Sequence, residues 1–189
     1  MEYNNDRRIW LLTDTHYNHK NIIEYCNRPK DYEIRFLSSC FRLLNSNDIL
    51  VHLGDIGIGD DIKVHDKYIR PLSCRKWLIR GNHDKRSNTW YLNNGWDFVA
   101  KKVIVDLFGK VIMFSHMPIR TETLVSERID LNIHGHFHNT NFRKHEPELA
   151  GRLTDKHMLL AHEYIGYEPI LLRRFIEDKK YAKSKEEKI

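Results

Sequence analysis

Five clusters of polar residues each follow a short apolar stretch of the chain, and this recurrence restricts the fold more than any other feature. The clusters are Asp14-Thr15-His16, Gly54-Asp55, Gly81-Asn82-His83-Asp84, Ser115-His116 and Gly135-His136-Phe137-His138. Short apolar stretches bounded by polar residues are typical of strands buried on both faces. Ligands of open α/β sheets bind beyond the carboxyl ends of the strands, so we expect the five clusters to meet in one crevice.

The first half of the chain alternates predicted strands and helices, which is the pattern of an α/β fold. Strands are predicted over residues 8–13, 49–53 and 76–80, and helices over 31–45 and 62–69. An apolar stripe at helical spacing indicates that the longer helix is amphipathic. Its residues are Ile34, Leu37, Phe41 and Leu44.

The second half contains several consecutive predicted strands, with a hairpin expected at Phe108-Gly109. Strands are predicted over 98–107, 110–115, 131–134 and 158–160, a long loop over 139–156 and a last helix from about residue 171. We therefore expect an α/β sandwich in a single domain over residues 1–176, with a charged tail over 177–189.

The donor groups in the five clusters are carboxylates, imidazoles and one carboxamide, without a thiolate. Such oxygen and nitrogen donors suit Mn²⁺, Fe, Zn²⁺ or Ni²⁺. The candidate ligands are Asp14, His16, Asp55, Asn82, His116, His136 and His138. They are too many for one tetrahedral ion, but they fit two ions that share a bridging carboxylate, for which Asp55 is the natural choice. Two ions about 3.5–4 Å apart can clamp a phosphate and hold a bridging hydroxide for in-line attack. A glycine precedes Asp55, Asn82 and His136, where we expect it to permit a sharp backbone turn.

These motifs resemble the calcineurin-like metallophosphoesterase family, whose pattern is D-x-H, G-D-x, G-N-H-D/E, a lone His and G-H-x-H. All five occur here in the family's order, over residues 14 to 138. The stretch from Asp14 to Ile23, followed by Cys26-Asn27-Arg28-Pro29, is similar to the small bacterial and phage members. The resemblance implies an αββα sandwich in which two β-sheets are flanked by helices.

The resemblance also implies a role for each site residue. Asp14, His16, Asp55 and His138 would hold one metal, and Asp55, Asn82, His116 and His136 the other, with manganese the most expected ion of this dinuclear metal centre. His83 and Asp84 are the catalytic candidates. His83 would sit over the phosphate and stabilise or protonate the leaving oxygen, and Asp84 would orient its imidazole.

The expected function is that of a two-metal-dependent hydrolase that cleaves a phosphodiester by attack of the bridging hydroxide. The expected substrate is a small anionic phosphoester, namely a nucleotide, a cyclic nucleotide or a single-stranded oligonucleotide. A phosphomonoesterase or protein phosphatase is the alternative enzyme. A catalytically silent metal-binding scaffold is the alternative from another class, although such proteins usually lose ligands and here the whole set is present.

Several further residues leave two interpretations open. His19 and Arg28 follow the first cluster and either face the crevice or lie on the surface. His52 and His134 are expected to be buried strand residues, whereas His65, His145, His157 and His162 are expected in loops or on the surface. Five aromatic residues either stack a base of a nucleotide substrate or fill a core or groove, and they are Tyr17, Tyr25, Trp90, Tyr91 and Trp96.

Composition excludes some other classes of protein. Hydrophobic residues make up 41% and charged residues 30% of the chain, which is typical of a globular domain. No apolar run approaches the ~20 residues of a membrane span, and the first eight residues lack the apolar core of a signal peptide, so we expect the cytoplasm of a bacterium or of a phage-infected host. The three cysteines are widely spaced and predict neither a disulfide framework nor a cysteine-based zinc site. The net charge of +5 favours an anionic partner.

Overall fold

The computed structural model describes residues 8–139 and 143–178, and in this part of the chain nine strands form two sheets. The strands are β1 Ile9–Leu12, β2 Ile49–His52, β3 Arg75–Ile79, β4 Phe98–Ala100, β5 Lys102–Leu107, β6 Lys110–Ser115, β7 Leu131–His134, β8 His157–Leu159 and β9 Ile170–Leu171. The first sheet has the order β4-β3-β2-β1-β9 and the second the order β5-β6-β7-β8. All neighbours are parallel except β9 beside β1 and β5 beside β6, so both sheets are mixed.

One predicted strand is wrong. Residues 98–107 were expected to form one strand, but the chain crosses between the sheets at Lys101, so that β4 extends the first sheet and β5 begins the second. The hairpin at Phe108-Gly109 is confirmed between β5 and β6. The two-residue strand β9 was not predicted.

Short helices connect and cover the strands. They are α1 Ile22–Tyr25, α2 Tyr32–Leu43, α3 Asp61–Val64, α4 Asn88–Asn93, α5 Thr121–Ser126, α6 Pro147–Ala150, α7 His162–Ile165 and α8 Leu172–Glu177, and a π-helical turn, His65–Ile69, continues α3. The loop predicted over 139–156 therefore contains α6. No helix in the described ranges is long and apolar enough to cross a membrane.

Alternation of side chains along the strands builds a core on each face of the first sheet. Leu11 and Val51 point into the space between the sheets, where they meet Phe114 of β6. Trp10 and Leu50, one position earlier in each strand, pack in the cluster that contains the helix α2. The predicted αββα sandwich is confirmed.

The buried face of the helix α2 differs in part from the predicted stripe, of which Leu37 and Leu44 are partly buried and pack against the core. Ile34 and Phe41 are exposed, whereas Tyr32, Phe36 and Cys40 are buried against the first sheet. Both stripes have helical spacing, so periodicity alone could not choose between them. Of the charged tail, residues 179–189 lie outside the described residues, as do residues 1–7 of the N-terminal stretch, and the domain boundary at 176 stays a prediction.

Replacing Phe36 by alanine should lower the free energy of unfolding by about 3–5 kcal/mol, because the ring is fully buried among Tyr17, Tyr32 and Tyr167 and its removal leaves a cavity. Phe41→Ala, on the same helix, should change it by less than about 0.5 kcal/mol because that ring is exposed. Urea unfolding of both variants measures the difference. Equal losses would contradict the observed orientation of α2.

Candidate metal centre

The five polar clusters meet at the carboxyl ends of β1, β2, β3, β6 and β7. Each cluster begins within three residues of the last residue of its strand. Parallel pairing of β1 with β2, of β2 with β3, and of β6 with β7 puts these ends at one edge of each sheet. The structure therefore brings the predicted ligands together in one crevice between the sheets.

A first group of donor atoms comes from Asp14, His16 and His138. These atoms all lie within 4.8 Å of one another, and all three residues are buried. The two Nε2 atoms are 3.2 Å apart, and each is 3.8 Å from Asp14 Oδ1. Asp14 Oδ1 itself is buried without a hydrogen-bond partner.

A second group comes from Asp55, His116 and His136, which are also buried and within the same mutual distance. His116 Nε2 lies 3.2 Å from both Asp55 Oδ2 and His136 Nδ1. Asn82 joins this group, with its Oδ1 2.9 Å from His116 Nε2.

Asp55 links the two groups. Its Oδ2, which faces His116, is also 3.8 Å from His16 Nε2 of the first group. Its Oδ1 accepts a hydrogen bond from the backbone N–H of His83 at 2.8 Å, which fixes the plane of the carboxylate. One carboxylate therefore lies between two sets of inward-facing donors.

The outward nitrogens of three of the four imidazoles have acceptors, so that each of these rings, when neutral, presents a lone pair inward; His16 Nδ1 is buried without a hydrogen-bond partner. His116 Nδ1 lies 2.8 Å from the carbonyl oxygen of Leu53, and His136 Nε2 lies 3.0 Å from Glu146 Oε2. His138 Nδ1 lies 3.3 Å from Glu163 Oε1. An acceptor on the far nitrogen is the usual support of a metal-binding histidine. Facing lone pairs and an unpaired buried carboxylate oxygen fit divalent cations.

The pKa values of two of the imidazoles also indicate a site that favours positive charge. Burial opposes the charged form of His116, but the Asp55 and Asp14 carboxylates outweigh it and raise the pKa of His116 to about 9. Burial is similarly outweighed by Asp14 and Glu163 at His138, whose pKa rises to about 10. Without a metal these carboxylates therefore favour protonated rings at His116 and His138, and a bound cation would replace those protons, whereas burial lowers the pKa of His16 well below its usual value.

Backbone strain is concentrated in the candidate ligands. Asp14, His16, Asp55, His136 and His138 all have φ between 46° and 74°, the left-handed region. Such a conformation costs about 1–2 kcal/mol for a residue with a side chain, and Asp and His adopt it more readily than most. Backbone bonds from Asp14 N to Gly54 O and from His16 N to Asp55 O hold the first two loops in this shape.

The three glycines before the ligands act differently from one another. Gly54 has φ +98°, so the predicted sharp turn applies there. Gly81 and Gly135 do not have positive φ, so the bends that follow them do not require the conformational freedom of glycine. They are needed for space: a Cβ on Gly81 would lie 2.1 Å from Asp55 Oδ1, and one on Gly135 would lie 2.3 Å from Asp14 Oδ2.

The two catalytic candidates have different surroundings. The His83 side chain is 44% exposed at the mouth of the crevice, with Nε2 3.9 Å from Asp55 Oδ2. The Asp84 carboxylate is buried and accepts hydrogen bonds from the backbone N–H groups of Asp55, Ile56 and Gly81 at 2.7–3.2 Å. The expectation that Asp84 orients the His83 imidazole stays a prediction. Asp84 joins the second and third loops.

Several residues near the centre were missed by the sequence analysis. Glu146 and Glu163 lie in segments without a motif, and nothing in their spacing relates them to His136 and His138. His162 was expected on the surface, but it is buried, and its Nε2 accepts a hydrogen bond from the backbone N–H of Thr13 at 3.1 Å. His65 and His157, also expected in loops or on the surface, are buried.

For the other residues singled out in the sequence, the structure shows which are buried and which are exposed. His52 and His134 are buried as expected. Arg28 is buried behind the first group rather than exposed to the crevice, whereas the ring of His19 is partly exposed, 5.5 Å from that of His16. Of the aromatic residues, Tyr17, Tyr91 and Trp96 are buried and cannot stack a base, while Tyr25 is 57% exposed and packs edge-on against His19.

Comparisons with known proteins agree with this geometry. The family model described as calcineurin-like phosphoesterase matches residues 7–180. An uncharacterized protein of Methanocaldococcus jannaschii is 30% identical over 171 residues, which cover 88% of this chain and 88% of that protein. The crystal structure of a protein of unknown function from Aquifex aeolicus is similar with a TM-score of 0.71 and 25% identity, covering 91% of this chain and 99% of that chain.

Gly135→Ala should lower the free energy of unfolding by about 1–3 kcal/mol, because the added methyl group overlaps Asp14 and must displace it. Gly151→Ala is the matched control, since Gly151 has φ −63° and the nearest atom to its added Cβ is 3.3 Å away. Denaturant unfolding of the two variants measures the effect. A Gly135→Ala protein as stable as the control would show that the loops are not packed as described.

Proposed function

The chain belongs to the calcineurin-like phosphoesterase family, and we propose that this protein is a two-metal phosphodiesterase that acts on nucleotide phosphodiesters. The observation that carries the proposal is the position of Asp55. Its Oδ2 is within 3.8 Å of an imidazole nitrogen from each donor group, so a single carboxylate can serve two ions. Asp14, His16 and His138 complete one site, and Asn82, His116 and His136 the other.

The donor set supports a transition metal, and we propose Mn²⁺. Oxygen and imidazole nitrogen donors predominate, which suits Mn²⁺, Fe, Zn²⁺ or Ni²⁺. The thiol of Cys26 does lie near the centre, but its neighbours there are the donor atoms of His138 and Glu163, and Glu163 contacts the outward nitrogen of that histidine. When bound, two such ions supply Lewis acidity toward the phosphoryl oxygens and a hydroxide nucleophile at neutral pH.

Residues of the chain itself position the shared carboxylate and can donate a proton to the substrate. Asp84 holds the backbone amides of both Asp55 and Gly81, which keeps the shared carboxylate beside Asn82. The backbone of His83 is fixed by its bond to Asp55 Oδ1, while its imidazole reaches the mouth of the crevice. That placement suits donation of a proton to the leaving oxygen of the substrate.

Two arginines that contact the site loops favour a diester over a monoester. A phosphomonoester dianion carries more charge than a diester and is commonly matched by an arginine fork. Arg28 is committed to Glu163 and to two backbone carbonyls, and Arg80 to Asn88 and the carbonyl of Asp84. Both guanidinium groups therefore already hydrogen-bond to other groups of the protein. The exposed Tyr25 beside His19 offers a surface on which a nucleobase could stack.

In the presence of Mn²⁺ the protein should hydrolyse bis-p-nitrophenyl phosphate with a higher kcat/KM than p-nitrophenyl phosphate, because Arg28 and Arg80 are already hydrogen-bonded within the protein. Cyclic nucleotides and single-stranded oligonucleotides serve as further arms of the assay. Asp55→Ala is the control, since loss of the shared carboxylate should abolish activity and lower the content of both ions. A preference for the monoester would indicate a phosphomonoesterase. Two bound ions without hydrolysis of any substrate would indicate a silent scaffold.

His83→Ala should leave the metal content unchanged, since His83 completes neither donor group. With a phosphodiester whose leaving group is poor, kcat should fall by about 10²–10⁴-fold, the usual contribution of a positioned acid. With a nitrophenyl ester the loss should be smaller, because nitrophenolate leaves without a proton. An equal loss on both substrates would assign His83 to charge stabilisation instead.

A further inference from the structure

Arg28 and Glu163 form a buried ion pair directly behind the first donor group. Their side chains are 0% and 6% exposed, and Arg28 Nη2 and Nε donate to Glu163 Oε1 at 2.7 and 2.9 Å. Burial of two charges costs desolvation energy that their attraction often does not recover. Stability alone is therefore a poor explanation for this pair.

Arg28 also holds the loop that carries two of the candidate ligands. Its Nη2 donates to the carbonyl oxygen of Asp14 at 2.8 Å and its Nη1 to that of Thr15 at 3.2 Å. The Tyr32 hydroxyl donates to the next carbonyl, that of His16, at 2.7 Å. Three successive carbonyl groups of a loop with two left-handed residues are thus fixed from behind.

When the imidazole of His138 is neutral, as metal binding requires, Glu163 favours a proton on Nδ1. Its Oε1 lies 3.3 Å from Nδ1, so an Nδ1–H has a carboxylate acceptor and Nε2 presents a lone pair to the first group. Arg28 Nη2 is 3.2 Å from the same Nδ1 and would donate to it if it were unprotonated. That arrangement would place the proton on Nε2, where it blocks coordination. The carboxylate therefore selects the tautomer that can bind a metal.

We propose that Arg28 and Glu163 are positioning residues that confer metal affinity on the group formed by Asp14, His16 and His138. The inference rests on the proposed function, because it takes this group to hold an ion. The pair acts through the shape of the Asp14 loop and the tautomer of His138, without contact between its charges and the ion.

In the second donor group, Glu146 contacts the outward nitrogen of His136 as Glu163 contacts that of His138, but from a more exposed position. Glu146 accepts from His136 Nε2 at 3.0 Å, but its side chain is 41% exposed, so water can replace it. Glu146→Gln should therefore affect the second ion only slightly. The comparison separates support of one ion from a general effect on the centre.

The test is calorimetric titration of metal-free protein with Mn²⁺, together with the visible absorption of the Co²⁺-loaded protein. Glu163→Gln should weaken one of two binding events by about 10–100-fold and leave the other nearly unchanged.

Because a lone buried Arg28 could unfold the protein, a double variant, Arg28→Met with Glu163→Leu, removes both charges. Such replacements are commonly neutral or stabilising, so this variant should fold yet still bind the first ion weakly. Arg42→Met with Glu168→Leu removes an exposed pair whose contact, at 2.8 Å, is of similar length, and it should leave the binding of both ions unchanged.

The outcomes are distinguishable. A wild-type protein that takes up no ions would overturn the proposed function itself. Two ions bound by the wild type and by the folded double variant with equal affinity would overturn the positioning role. Loss of both ions together with a lower melting temperature of the metal-free variant would show a structural role only, which also contradicts the inference.

Discussion

The buried Asp55 carboxylate, with imidazole donors of both sheets facing it, is the interaction on which the rest of this centre depends. The residue lies beyond β2 in a left-handed conformation, between loops that follow the neighbouring strands. Its backbone amide bonds to Asp84, and its Oδ1 accepts from the amide of His83, so the third loop of the crevice fixes both its backbone and its side chain. Its Oδ2 then points where His16 and His116 converge. Replacement of Asp55 would remove the carboxylate that lies near imidazoles of both donor groups.

Neutral buried histidines provide much of the remaining support. Burial lowers the pKa of His52 to about 3, so its imidazole is neutral. His52 Nδ1 accepts from the backbone N–H of Gly54, and its Nε2 donates to the Thr15 hydroxyl, which itself donates to the carbonyl of Ile56. The first and second loops are thereby joined without charge. A neutral imidazole can donate and accept at once, which suits it to link two backbones that carry strained ligands.

The positions of the ligands could be predicted from the sequence because each follows an apolar strand and the motifs recur in order. The supporting contacts could not. His138 and Glu163 are 25 residues apart, and Arg28 and Glu163 are 135 apart, so no local pattern relates them. The buried face of α2 was ambiguous for another reason, since the stripes that begin at Tyr32 and at Ile34 both have helical spacing. The break between β4 and β5 falls at Lys101 inside a continuous strand-like stretch, where only the packing of two sheets decides it.

In the proposed centre, the Asp55 carboxylate joins two metal ions. Electron paramagnetic resonance of the Mn²⁺-loaded protein tests it most directly, because two ions bridged by Asp55 interact magnetically while isolated ions do not. We expect a spin-coupled signal from the protein at two equivalents of Mn²⁺. A spectrum that consists of the six-line pattern of isolated Mn²⁺ at full loading would contradict it.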